Sequence, residues 1–81
     1  MNVRVLFFSV LKDITGTGEL SWDCPPGETM AGLLAQLYAR WPRLGEWDGS
    51  LLVAIDQAYV KRDAVLHAGC EVAVMPPVQG G

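Results

Sequence analysis

The sequence holds few side chains suited to covalent chemistry: one histidine, His67, and two cysteines, Cys24 and Cys70. His67 is flanked by Leu66, Ala68 and Gly69, none of which could orient it or share its proton, so it reads as an exposed loop histidine. A cysteine nucleophile needs a positioned base. Cys70 lies close to His67 in sequence but beside a turn, which gives that pair no fixed geometry. With no C-x-x-C and a single imidazole, no zinc-ligand set can be assembled. Gly16-Thr17-Gly18 lacks the downstream Gly-Lys-Ser/Thr of a phosphate loop. Cysteine usually behaves as a small buried hydrophobe. That is expected of Cys24, whereas Cys70, following Gly69, is expected at a turn and partly exposed. What remains is the ending Pro76-Pro77-Val78-Gln79-Gly80-Gly81. Terminal glycines are often only frayed. Here they follow an uncharged run from Val72, and two prolines make a stiff, extended base. A tail that is stiff at its root and slim at its tip suits threading a narrow channel. It would present the carboxylate of Gly81 to another protein's active site. Glycine fits that role because a Cβ would widen the tip and a side chain would hinder attack at the terminal carbonyl.

The rest of the chain must hold that tail out. Its 81 residues allow one domain, and 51% of them are hydrophobic, too many for a disordered segment. Nine acidic against six basic residues give a net charge of −3, which argues against nucleic acid and against an anionic membrane surface. No stretch approaches the roughly 20 apolar residues of a membrane span. The run from Val5 to Leu11 is interrupted by Ser9, ends on Lys12-Asp13 and lacks a cleavage site, so it reads as a strand, not a signal peptide. A cytoplasmic location with reduced thiols is expected.

Residues 1–75 are expected to form the domain and 76–81 a flexible C-terminal tail. Val3, Val5 and Phe7 alternate with Arg4, Leu6 and Phe8, and both sets are largely apolar, which predicts a strand covered on both faces. Val10 to Ile14 suits a short helical turn. Leu20, Trp22 and Cys24 alternate with polar residues as in a half-buried strand that completes a hairpin. Met30, Leu33, Leu34, Leu37, Tyr38 and Trp41 form one stripe at helical period, with Thr29 as N-cap and Pro42 as the stop. Gly32 replaces the Glu of a capping box and is expected to allow close packing on a sheet. Arg43 to Ser50 reads as a loop, Leu51 to Ile55 as a buried strand and Asp56-Gln57 as a turn. Ala58 to Val60 returns as a short strand, and Lys61-Arg62-Asp63 is an exposed charged turn. Gly69 suits a left-handed turn before a last strand, Glu71 to Met75, which Pro76-Pro77 ends. This order predicts an α+β chain: a mixed sheet of about five strands with one main helix packed on one face. The first and last strands are placed side by side at its centre, the β-grasp or ubiquitin-like arrangement.

Four segments carry a resemblance. They are Val5-Leu6-Phe7-Phe8, the run Leu51 to Gln57, the turn Leu66 to Val72, and the ending Pro76-Pro77-Val78-Gln79-Gly80-Gly81. Together they resemble the small subunits of molybdopterin synthase over the whole chain. A bare Gly-Gly is shared by all ubiquitin-like sulfur carriers, while the Pro-Pro-Val-x-Gly-Gly ending with the Phe-Phe strand is more specific. Two departures are Cys70, where the family commonly has Asp, and Met75, where it commonly has an aromatic residue. The resemblance implies a sulfur carrier. A ubiquitin-activating-type adenylyltransferase joins Gly81 to AMP, and a persulfide donor converts it to a thiocarboxylate. The sulfur then passes to cyclic pyranopterin monophosphate to build the molybdopterin dithiolene. The chain itself would bind no cofactor or metal, since ATP is consumed by the partner, and would supply no catalytic side chain. Gly80 and Gly81 would be the reacting end, with Pro76, Pro77, Val78 and Gln79 in the partner's channel. Phe8, Tyr59 and Met75 match positions the family uses against its large subunit, in a 2:2 heterotetramer. A carrier for thiazole or tRNA thiolation and a ubiquitin-like binding module that carries no sulfur are the alternatives.

Overall fold

The structure is a computed structural model and describes residues 1–77. The expectations placed on Val78, Gln79, Gly80 and Gly81 lie outside the described residues. The elements run β1 (Asn2–Phe7), α1 (Val10–Thr15), β2 (Glu19–Asp23), α2 (Met30–Arg40), α3 (Pro42–Gly45), β3 (Leu52–Ile55), β4 (Ala58–Tyr59) and β5 (Glu71–Met75). The sheet order is β2-β1-β5-β3-β4. Its two central strands, β1 and β5, run parallel, with Arg4 beside Glu71 and Phe7 beside Val74, and the other pairings are antiparallel. This is the expected α+β, β-grasp arrangement.

The helix stripe packs as its spacing requires. Met30, Leu33, Leu34 and Leu37 are buried against Val3, Val5, Phe7, Val53, Val72 and Val74. Each such side chain contributes about 2 kcal/mol through the apolar surface it removes from water. Thr29 caps α2 by accepting a hydrogen bond from the Gly32 amide at 3.2 Å. The first free amides of the helix, those of Met30 and Ala31, donate to the carbonyls of Ala64 and Arg62 in the loop that leads to β5.

Four local expectations need correction. β1 is covered on one face only: Val3, Val5 and Phe7 are buried, while Arg4 is exposed and Leu6 half-buried. The single helical layer lies on one side of the sheet and leaves the other side open. Pro42 stops α2 but also begins α3, because its fixed φ and missing N–H suit the first helical position. The stretch expected to be a loop therefore holds a helical turn that buries Leu44, followed by a 3-10 turn at Asp48–Ser50. Gly32 faces not the sheet but the Glu28 carboxylate, which a Cβ there would strike. That carboxylate accepts from the Thr29 amide at 3.0 Å and from Gln36 Nε2 at 2.8 Å, and the Gln36 side-chain oxygen accepts from Trp22 Nε1 at 2.9 Å. The glycine makes room for a polar chain that ties β2 to the start of α2. Arg62, placed in an exposed turn by the sequence, is half-buried and donates to Asp48 through Nη1 at 2.9 Å.

Candidate functional site

β5 ends at Met75, and Pro76 and Pro77 leave the sheet half-buried and outside regular structure. The root of the tail therefore stands at the end of a central strand. Lateral pairing builds the surface beside it. On the open face, Leu6 of β1 lies beside Ala73 of β5, Ala73 opposite Ala54 of β3, and Ala54 opposite Tyr59 of β4. Two alanines between larger neighbours leave a trough across the middle of the sheet. One step nearer the tail, Phe8 follows the Phe7–Val74 pair and so stands beside Met75. The result is a groove of about 310 Å³ lined by Leu6, Phe8, Ala54, Gln57, Tyr59, Glu71, Ala73 and Met75. Phe8 is 43% and Tyr59 72% exposed, large apolar surfaces with no intramolecular cover. Tyr59 also borders a second apolar depression of about 560 Å³ with Leu51, Leu52, Val53, Val60, Lys61 and Arg62.

Of the residues singled out by sequence, Phe8, Tyr59 and Met75 come together in one groove, with Pro76 and Pro77 at its end. Leu6, Ala54 and Ala73 were missed. Their signal is cross-strand: small residues facing each other on β3 and β5 mean nothing until the register aligns them.

The β3–β4 turn that carries Tyr59 is braced. Asp56 and Gln57 both have positive φ, 49° and 71°, a conformation that costs a side chain energy and that the surroundings must hold. The Asp56 carboxylate does so: Oδ1 accepts from the Glu71 amide at 2.9 Å, and Oδ2 lies 2.8 Å from His67 Nε2. His67 is therefore exposed, as expected, but not without a partner. Its partner sits on a distant turn, beyond the reach of local sequence. The Glu71 amide, then His67, hold the Asp56 carboxyl below its ordinary 3.8. The same carboxylate raises the His67 imidazole above 6.5. The histidine's contribution is complete below pH 6.5 and fades as pH rises through its raised folded value. The aspartate's contribution is complete above pH 3.8 and fades as pH falls through its lowered folded value. Stability is thus expected to be greatest between these limits. In thermal melts across pH, His67→Ala flattens the alkaline side and Asp56→Asn removes both sides; an unchanged profile in either variant contradicts the brace.

Both cysteines are free. Cys24 is buried as expected, and burial pushes its thiol up. Cys70 corrects its expectation: it is 1% exposed, on the same face of the chain as Val72 and Val74. The alternation of β5 reaches back past the strand's first residue and turns the side chain into the core. Among the described residues no three metal-ligating side chains cluster, and no helix is long and apolar enough to cross a membrane.

Residues 5–81 match the ThiS family. The molybdopterin synthase sulfur carrier subunit of Escherichia coli is 40% identical, with the alignment covering 98% of this chain and 99% of that one. SAMP1 from Haloferax volcanii superposes with a TM-score of 0.86 at 24% identity, each chain covered in full, and so shares the fold. So does a chain in the complex of subunits 1 and 2 of the molybdopterin-converting factor from Helicobacter pylori, with a TM-score of 0.73 at 24% identity and full coverage of both chains.

Proposed function

This chain belongs to the ThiS family and acts as a sulfur carrier subunit of molybdopterin synthase, and we propose that the sulfur rides on Gly81 as a thiocarboxylate. The observation that carries this reading is the position of the apolar groove. It opens beside the root of the tail, so a partner that covers Phe8, Tyr59 and Met75 also receives Pro76 to Gly81.

The chemistry proceeds on the carbonyl carbon of Gly81, with ATP and every acid or base supplied by partners. A Gly81 carboxylate oxygen attacks the α-phosphorus of ATP, pyrophosphate leaves, and a glycyl adenylate forms on the ubiquitin-activating-type partner. The terminal sulfur of a donor persulfide attacks the carbonyl carbon and displaces AMP, giving an acyl disulfide. A thiol then attacks the donor-side sulfur. The S–S bond breaks, the thiocarboxylate is released and a disulfide remains on the donor side. In the large synthase subunit the thiocarboxylate sulfur bonds to a carbon of cyclic pyranopterin monophosphate as the C–O bond at that carbon breaks and its oxygen substituent leaves. Water cleaves the resulting thioester and restores the Gly81 carboxylate. Repeating the cycle supplies both sulfurs of the dithiolene. Gly80, Gln79 and Val78 occupy the channel in both partners, and Pro76-Pro77 keep the tail extended from the sheet.

The assembly proposed with the large subunit is a 2:2 heterotetramer. Its setting is the cytosol, where two buried free thiols stay reduced. Loaded carrier mixed with the large subunit and cyclic pyranopterin monophosphate is expected to yield molybdopterin and unloaded carrier, read by product fluorescence and intact mass. Co-purification with a thiazole-forming partner, without molybdopterin formation, would place the carrier in the other branch of sulfur chemistry.

A further inference from the structure

The helical side of the tail root carries a second surface. Trp41, which follows α2, packs edge-on against Phe7 with ring centroids 5.9 Å apart, and Phe7 pairs with Val74, one residue before Met75. Around Trp41 lies a pocket of about 110 Å³ lined by Ile14, Arg40, Trp41, Pro42 and Arg43. It is far below the roughly 300–1,000 Å³ of a small-molecule site. It therefore suits a side chain or two, not a nucleotide or a pterin.

Its lining carries two arginines and no acidic residue. In a chain of net charge −3, Arg4 pairs with Glu19 and Arg62 with Asp48, each at 2.9 Å. Arg40 and Arg43 have no carboxylate partner among the described residues. Arg40 is held in place by stacking 4.8 Å from the Trp41 ring, and it sits in the last turn of α2, where a cation offsets the helix dipole. Arg43 lies in the last turn of the short α3 and has no such stacking partner among the described residues. Two guanidinium groups without a carboxylate partner line one small pocket and match a pair of carboxylates. The apolar groove and this cationic pocket lie on opposite faces of the domain, at the end from which the tail leaves.

We propose that Arg40 and Arg43 form a second docking point that takes an acidic segment of the enzyme that adenylylates Gly81. The inference rests on the sulfur-carrier reading and adds to it the partner and the chemistry of the contact. Exposed charge pairs speed encounter more than they deepen affinity. That suits a partner which must be met and left in every cycle better than one bound through a broad apolar groove.

The test compares wild type with the Arg40→Glu/Arg43→Glu double variant and, as a milder change, Arg40→Gln/Arg43→Gln, each checked by thermal melt. At low salt, kcat/KM for ATP-dependent adenylylation is expected to fall about tenfold for the glutamate pair and less for the glutamine pair. The gap to wild type narrows as salt screens the contact. Affinity for the large subunit stays as in wild type. An unchanged rate at low salt, a loss that salt does not narrow, or an equal loss of large-subunit affinity overturns the inference. A wild-type chain that is never adenylylated overturns the carrier reading and this inference with it. A wild type that is adenylylated beside a double variant adenylylated equally well removes the inference alone.

Discussion

Deleting Gly81, or adding one residue after it, is expected to abolish sulfur loading and to leave the thermal midpoint where it was. The two halves of this expectation have separate causes. On the proposed chemistry, loading requires a free carboxylate at the end of a tip slim enough to reach the adenylylating centre. An added residue moves that carboxylate by about 3.5 Å, and an added side chain widens the tip. Deletion shortens the reach by the same length and leaves Gly80 as the terminus. Misplacement by about 1 Å can already cost a hundredfold in rate, so a whole-residue shift is expected to remove detectable product. Stability depends on other residues. The core cluster runs from Val3 to Val74, and β5 ends at Met75. The check is intact mass after incubation with the activating enzyme, ATP and a persulfide donor, with a thermal melt on the same sample. Wild type is expected to gain the difference between sulfur and oxygen. A tagged chain that gains it without losing the tag would falsify the assignment of Gly81.

Which parts of this molecule were legible in its sequence follows from the range of the interactions involved. The stripe on α2 was legible because period and burial coincide within one element: Met30, Leu33, Leu34 and Leu37 are the buried face. The central pairing of β1 and β5 was legible because those strands carry the most apolar residues. The same signal misled on β1, since Leu6 and Phe8 line the open groove rather than the core. A sequence does not distinguish an apolar face kept for intermolecular burial from one buried within the chain. Cys70 was misread, and the partner of His67 missed, for a different reason. The strand register, not the adjacent turn, buries Cys70. The partner of His67, Asp56, is brought to it only when β3 and β5 pair. The trough made by Ala54 and Ala73 has no local signature, because each alanine gains its meaning from the residue across the ladder.

That trough carries the second large effect. Ala73→Phe keeps the face apolar but fills the space between Leu6 and Tyr59, whereas Tyr59→Ala removes a wall and keeps the floor. If the groove served only as a greasy patch, added apolar area would leave large-subunit affinity equal or improved. A groove that receives a partner side chain predicts the reverse: Ala73→Phe is expected to weaken binding at least as much as Tyr59→Ala. Buried aromatic anchors at interface centres are worth about 2 kcal/mol or more on truncation, which is roughly a 30-fold loss in affinity. Neither position faces the core: Tyr59 is largely exposed, and Ala73 points to the open face of β5. Thermal midpoints should therefore stay close to wild type, while titration of the large subunit by calorimetry reports the loss. Wild-type affinity in Ala73→Phe would mean that the partner lies across the rim formed by Phe8 and Met75 without entering the trough. Shape complementarity would then have to be sought at the tail alone.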